Sequence, residues 1–317
     1  MKKLLLLLLL LTALCFFAAC TDSADDGKLD IVCSVFPEYD WTKAILGEAS
    51  DGVRLHLLVA NGVDMHSYQP SVDDMVAISE CDLLIYVGGA SDAWIEEALA
   101  NKKNPQRRVL RLLDHVECAD GACHGGEEHR DHTHEAEGYD EHVWLSLRNA
   151  SKLSRVIADE LQNVDPENEA VYEANAQAYI GKLTALDEEY AQVFSSASKK
   201  VLLFADRFPF VYLSHDYDLT CFAAFSGCSA EIEASADTVR ALAEKVDLYE
   251  LSVVFVLEDS VDSIAETVIS ATKAKNARIL TVDSMQSIGW AEIRQGVSYL
   301  SVMEKNLSVF RDALQSL

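Results

Sequence analysis

Basic side chains are scarce in this sequence of 317 residues. Lys and Arg total 26 against 52 Asp and Glu, which gives a formal net charge of −26 at pH 7. Such an acidic chain repels phosphate backbones, so nucleic-acid partners are excluded and the handling of cations is favoured. The sequence has only one long apolar run, at its very start, which excludes a protein that crosses a membrane many times.

Two common metal and redox motifs are also missing. No CxxC pair occurs, and the absence of HExxH excludes the zinc-protease arrangement of two His ligands and a Glu base on one helix. Cysteines 118 and 123, like cysteines 221 and 228, are close enough in sequence to form disulfides in an exported protein. Isolated buried thiols are an equally good interpretation.

The N-terminal run is typical of an export signal. Lys2 and Lys3 precede an apolar stretch at 4–11, and a small-residue segment ends at Cys20, a pattern similar to a bacterial lipoprotein box. We expect residues 1–19 to be a signal peptide, Cys20 to carry the lipid, and residues 20–28 to form a solvated tether. The protein would then be extracytoplasmic and anchored to the cell membrane. An ordinary signal peptide or a retained anchor helix is the alternative.

Apolar and helical segments alternate along the rest of the chain, which predicts an α/β fold with mainly parallel sheets. Strands buried on both faces are predicted at 29–35, 53–59, 83–87 and 109–113, with helices at 40–46, 71–78 and 93–100. The alternation restarts after residue 198, with strands at 200–205, 219–225, 252–258 and 278–283 and helices at 238–246, 260–274 and 297–317. Two lobes are therefore expected, at 29–164 and 199–317, each with a sheet flanked by helices.

One long rigid helix is predicted between the lobes, at 165–198. Asp165 would be its N-cap and Pro166 its first residue, and apolar residues then recur at spacings of three and four. The helix should have about 30 residues and span about 45 Å, which favours small domain motions. A coiled-coil dimer is the competing interpretation, but the repeat lasts only three heptads, so we expect a monomer.

Histidine is concentrated in one part of the chain. Six of the nine histidines lie between residues 115 and 142. The segment 119–141 consists largely of Gly, Glu, Asp and His and has almost no large apolar residue, so it should be a surface loop. Imidazoles among carboxylates suit zinc. An acidic loop with incidental histidines is the alternative.

A tight metal site needs ligands that the scaffold holds, because ordering a flexible loop around an ion costs entropy. In doubly wound sheets such ligands lie after the carboxyl ends of strands. His66 follows the predicted strand 53–59, and His142 lies where apolar packing resumes after the His-rich loop. In the second lobe, Asp283 ends the strand 278–283, and Asp206 and Arg207 follow the strand 200–205.

At these residues the chain resembles the ZnuA-like solute-binding lipoproteins of zinc and manganese uptake ABC transporters. The segment 64–70, Asp-Met-His-Ser-Tyr-Gln-Pro, is similar to their first ligand signature, and 140–145, Asp-Glu-His-Val-Trp-Leu, is similar to their second. The resemblance includes the His-rich loop, the long helix and the closing Asp283. It implies a metal held between two α/β lobes and delivered to a membrane permease that a separate ATPase powers.

The chain departs from this family at one ligand position. Arg207 aligns with a His or Glu ligand, and a protonated guanidinium cannot bind a metal ion. Three alternatives could complete the site: Asp206, a loop carboxylate from Glu231 or Glu233, or water beside His66, His142 and Asp283. We favour Glu231, because the Gly-Cys-Ser run before it would let a loop approach closely.

The expected ligands are therefore His66, His142, Glu231 and Asp283. Asp64 is expected to receive the second imidazole N–H of a ligand His. Arg207 is expected to pair with Asp283 or Glu231, or else only to brace the surface between the lobes. Zn²⁺ is favoured over Mn²⁺ because of the His-rich loop.

The expected function is the capture of a divalent metal and its transfer to an ABC permease, without catalysis. A surface zinc hydrolase is one alternative, with Glu258 or Asp259 as its base, although no motif places either of them near His66. An adhesin or sensor lipoprotein that uses the two lobes for protein contacts is the other.

Overall fold

A computed structural model describes residues 27–117, 140–225 and 234–315. These residues form two four-stranded parallel sheets, which confirms the predicted α/β architecture. The first sheet contains β1 (Leu29–Cys33), β2 (Val53–Leu57), β3 (Leu83–Tyr86) and β4 (Arg108–Arg111), in the order β2-β1-β3-β4. The second contains β5 (Val201–Phe204), β6 (Thr220–Ala223), β7 (Val253–Leu257) and β8 (Arg278–Val282), in the order β6-β5-β7-β8. The two lobes thus share one topology.

Helices cover the sheets and connect them. They are α1 (Phe36–Leu46), α2 (Val72–Glu80), α3 (Ala93–Leu99), α4 (Leu147–Val164), α5 (Glu169–Ser196), α6 (Val211–Tyr217), α7 (Ala236–Tyr249), α8 (Ser263–Ala271), α9 (Trp290–Arg294) and α10 (Tyr299–Gln315). The helices predicted from the sequence do not include α4, α6 or α9, and the predicted α1 begins four residues late. The early start of α1 has a local cause, because the carboxylate of Glu38 accepts the backbone N–H groups of Ser34 and Val35.

The long helix α5 joins the lobes as predicted. Its 28 residues span about 42 Å. It begins at Glu169 after a 3₁₀ turn at Pro166–Asn168, and the Asp165 carboxylate accepts bonds from the Asn168 and Tyr172 side chains without capping the backbone.

The apolar stripe of α5 packs within the chain. Its members are Tyr172, Ala176, Tyr179, Leu183, Leu186, Tyr190 and Val193, and all of them are buried. Helices α4, α1 and α10 contact α5. The coiled-coil interpretation of this stripe is therefore wrong.

One apolar core extends through both lobes. It joins side chains of the first sheet, such as Ile31 and Ile85, to side chains of the second, such as Phe204 and Phe255, and α5 contributes Leu183. Each sheet has one smaller apolar cluster on its outer face. The lobes are therefore packed on a shared interior.

Several predicted features lie outside the described residues. They are the signal peptide 1–19, the lipid-bearing Cys20, nearly all of the tether 20–28, residues 119–139 of the His-rich loop, and the candidate ligands Glu231 and Glu233. Within the described ranges, no helix combines the length and the apolar character that spanning a bilayer requires.

We predict that Leu183→Ala lowers the free energy of unfolding by about 2–5 kcal/mol, because it opens a cavity in the shared core. Leu183 is fully buried. Val171→Ala is the matched control on the same helix, where the side chain is 36% exposed, and it should change stability by no more than about 0.5 kcal/mol. Urea denaturation measures both variants. If Leu183→Ala instead alters the particle mass by light scattering and leaves stability unchanged, the intramolecular packing of α5 is contradicted.

Candidate metal centre

Two histidines from distant parts of the chain meet between the lobes. His66 lies in a 3₁₀ turn, Met65–Ser67, after β2, and His142 directly precedes the turn Val143–Leu145 that leads into α4. Their Nε2 atoms are 3.3 Å apart, although 76 residues separate them in sequence. The side chain of His66 is 15% exposed and that of His142 is 2% exposed. The structure thus brings together the two histidines that the motifs singled out.

Each histidine is fixed by the aspartate two residues before it. The Asp64 carboxylate accepts the backbone N–H of His66 at 2.9 Å. Asp140 accepts the backbone N–H of His142 at 2.9 Å and also faces its ring Nδ1 at 3.1 Å. This local Asx bonding explains the Asp-x-His spacing of both motifs, because the aspartate sets the backbone turn that presents the imidazole.

A half-buried serine and a buried glutamate hold the ring of His66. Ser91 donates its backbone N–H and its hydroxyl to Glu141, at 2.9 and 2.7 Å. Its single hydroxyl proton is thereby used, so the hydroxyl oxygen accepts from His66 Nδ1. Glu141 also lies 3.3 Å from the same ring nitrogen. The prediction that Asp64 receives an imidazole N–H was therefore wrong: Ser91 and Glu141 serve His66, and Asp140 serves His142.

Glu141 stays ionised in this position. Burial opposes the charged form, but the hydrogen bond to His66, the charge of His142 and the Ser91 donors outweigh it and lower the pKa of Glu141 to about 2. Gly89 makes room for this carboxylate, since a Cβ at that position would overlap it. Glu141 could have been found from its position beside His142, whereas no sequence signal pointed to Ser91.

These contacts determine what the two rings offer to a ligand. Acceptors at both Nδ1 atoms favour the neutral tautomer that carries its proton on Nδ1, which leaves Nε2 of each ring available to a metal ion. Two nitrogens bound to one tetrahedral zinc ion at about 2.0–2.1 Å lie about 3.3–3.4 Å apart. The observed 3.3 Å between the Nε2 atoms is that separation.

The second lobe supplies an arginine beside this pair. Arg207, after β5, places Nη1 2.8 Å from the carboxylate of Asp64. The sequence analysis did not name this partner. Asp206, the neighbouring candidate ligand, is buried within its own lobe, where it accepts the backbone N–H of Leu257 at 3.1 Å and the Ser260 hydroxyl. This engagement disfavours Asp206 as a metal ligand.

Asp283 follows β8 as predicted, and the backbone of its own loop engages it. Its carboxylate accepts the N–H of Met285 at 2.8 Å, and burial raises its pKa. Burial and the charge of Asp283 raise the pKa of the adjacent Glu258 to about 7. Across the described parts of the chain, no three His, Cys, Asp or Glu side chains form a group that could hold a metal ion. Asp283 and Glu231 therefore stay predicted ligands.

The histidine motifs also bond to the opposite lobe. Trp144 donates its indole N–H to the carbonyl of Ser284 at 2.8 Å, and Tyr212 donates its hydroxyl to the carbonyl of Asp140 at 2.8 Å. Gly289 lies so close to the carbonyl of Ala60 that a Cβ there would overlap it. The lobes are thus in direct contact around the paired rings.

Comparison with known proteins shows the same architecture elsewhere. The zinc-binding lipoprotein AdcA of Streptococcus pneumoniae is 32% identical over 316 residues, which cover 98% of this chain and 61% of that protein. The chain therefore spans about three fifths of the length of this relative. The high-affinity zinc uptake system protein ZnuA of Bacillus subtilis is 28% identical over 315 residues, 95% of each chain.

A solved structure and a family profile extend this likeness. The Zn(II)-bound ZnuA-like domain of Streptococcus pneumoniae AdcA superposes with a TM-score of 0.73 and 28% identity, over 91% of this chain and 99% of that one. The profile described as "ZnuA: Zinc-uptake complex component A periplasmic" matches residues 31–313, which include both sheets and both histidines. The chain therefore belongs to the ZnuA family.

Proposed function

We propose that this protein captures a zinc ion between its lobes outside the cytoplasm and delivers it to an ABC permease. The observation that carries the proposal is the pair of Nε2 atoms 3.3 Å apart, with hydrogen-bond acceptors at the Nδ1 atom of each ring. Two imidazole nitrogens favour zinc over manganese, which prefers oxygen donors. The names of AdcA and ZnuA and the Zn(II)-bound AdcA domain support this cargo.

The remaining parts of the chain have defined roles in this proposal. Asp283 and Glu231 would add carboxylate oxygens to the two imidazoles. Cys20 would anchor the mature protein to the outer face of the cell membrane after removal of residues 1–19, and the His-rich segment 119–141 would bind further zinc weakly. The two lobes, 29–164 and 199–317, would act as one monomeric carrier around the helix 165–198.

A carrier fits the surroundings of the site better than a hydrolase. A zinc hydrolase needs a base beside an open metal position. Glu258 is half-buried, and its carboxylate accepts the N–H of Ser284 at 2.7 Å and the hydroxyl of the same residue. Asp259 bonds to the hydroxyl of Ser287 at 2.7 Å. For the adhesin or sensor alternative, binding of a protein partner without metal would be the supporting observation.

Removal of either imidazole should abolish tight zinc binding. We expect His66→Ala and His142→Ala each to weaken zinc affinity by more than about 100-fold in calorimetric titration, because each ring supplies one of the two nitrogen donors. His56→Ala is the control, since His56 is a half-exposed side chain on β2 that faces Asp30 of β1. Unchanged affinity in both site variants would refute the proposed function.

Ser91→Ala should weaken zinc affinity by about 10- to 100-fold without loss of either ligand, because the His66 ring loses the group that fixes its orientation. Ser151→Ala on α4 is the matched control, since its hydroxyl bonds only to the Leu147 carbonyl in the same helix. Competition with a fluorescent zinc chelator measures both variants. Equal affinities would show that Ser91 has no part in presenting His66.

Zinc affinity should fall as pH decreases through about 6.5, because protons compete with the metal for the imidazole nitrogens. Glu141, whose pKa is lowered to about 2, stays ionised over this range and does not contribute to the change. We expect affinity to be about 10- to 100-fold weaker at pH 5.5 than at pH 7.5. Identical titration curves at the two pH values would contradict binding through neutral imidazoles.

A further inference from the structure

Asp64 is the point at which the His66 loop meets the second lobe. One oxygen of its carboxylate accepts the backbone N–H of His66 at 2.9 Å, and the other accepts Arg207 Nη1 at 2.8 Å. The side chains of Asp64 and Arg207 are 27% and 26% exposed. A single carboxylate therefore links the second lobe to the backbone of a metal-binding histidine.

Other bonds hold the same loop to the second lobe. Met65 donates its backbone N–H to the carbonyl of Gln286 at 3.2 Å, and Trp290 donates its own to the carbonyl of Ala60 at 2.9 Å. The backbone around His66 is thus positioned by the second lobe, whereas its ring is positioned by Ser91 and Glu141 of the first.

Two physical effects of Arg207 on a bound cation oppose each other. Its permanent positive charge repels the metal, which would weaken binding. Its ion pair with Asp64 fixes the turn that presents His66, which would strengthen binding. This pair is about three-quarters buried, so solvent screens it less than a surface pair and the geometry it imposes persists in salt.

We propose that Arg207 is a positioning residue, and that through Asp64 it makes the placement of His66 depend on contact between the lobes. The inference rests on the proposed function, because it concerns how zinc is held and released. Separation of the lobes breaks the bond between Arg207 and Asp64 and frees the Met65–Ser67 turn. Zinc then loses one nitrogen ligand as the cleft opens.

The test compares Arg207→Met, Arg207→Lys and Asp64→Asn in the full chain. Arg207→Met keeps much of the side-chain volume and removes the ion pair. We expect it to weaken zinc affinity by about tenfold, mainly through faster dissociation in stopped-flow competition with a chelator. Arg207→Lys, which keeps a cationic donor for Asp64, should recover most of this loss. Asp64→Asn should match Arg207→Met, and the double variant should be no weaker than either single one.

The matched control is Arg278→Met. Arg278 Nη1 lies 2.8 Å from the carboxylate of Asp312, the same distance as in the pair of Arg207 and Asp64. Arg278 is the first residue of β8, whereas the cleft lies at the carboxyl ends of the strands. It should leave zinc dissociation unchanged. Hydrogen exchange gives an independent measurement, because the amide of His66 bonds to Asp64 and should exchange faster in Arg207→Met than in Arg278→Met.

Two results would overturn the inference. If Arg207→Met binds zinc as tightly as the wild type or more tightly, the charge of Arg207 dominates and its positioning role is wrong. If Arg207→Lys is no better than Arg207→Met, the bond to Asp64 is not the cause. Failure of the proposed function would be recognised separately, because zinc affinity would then be unaltered in His66→Ala.

Discussion

Two imidazole nitrogens from distant parts of a chain can bind one ion only if the fold holds both rings at the right separation. The Nε2 atoms of His66 and His142 lie 3.3 Å apart, and the rest of the site depends on keeping them there. Asp140 holds one ring, and Ser91 with Glu141 holds the other. The folded protein thus presents both nitrogens at the separation that binding to one tetrahedral zinc ion requires.

The fold holds the two lobes in contact around these rings. The shared core and the helix α5 fix their relative placement, and the bonds from Trp144 and Tyr212 tie the His142 segment to the second lobe. The His66 loop is tied in the same way through Asp64 and Met65. Each histidine therefore depends on contacts made by the lobe to which it does not belong.

The sequence could predict the features that local residue patterns determine. The strands could be predicted because continuous apolar runs are typical of strands buried on both faces. His66 and His142 could be predicted because each lies in an Asp-x-His segment next to residues that pack in the scaffold. The support of His66 by Ser91 could not be foreseen, since it depends on how a loop after β3 folds over Glu141. The partner of Arg207 was missed for a related reason: alignment placed the residue at a ligand position but gave no direction for its side chain. Helix α4 was overlooked although its Leu147, Leu153, Ile157 and Leu161 face the core.

The continuous interior has a further consequence for how such a chain can be divided. A fragment that ends with α5, or one that starts with it, would leave part of the aromatic and aliphatic face of this helix open to water. That face includes Tyr190 and Phe194, whose rings contact Phe310. Neither half would bury this face on its own, despite the matching topology of the two sheets. Recombination between relatives should therefore exchange the two halves together, or exchange surface loops alone.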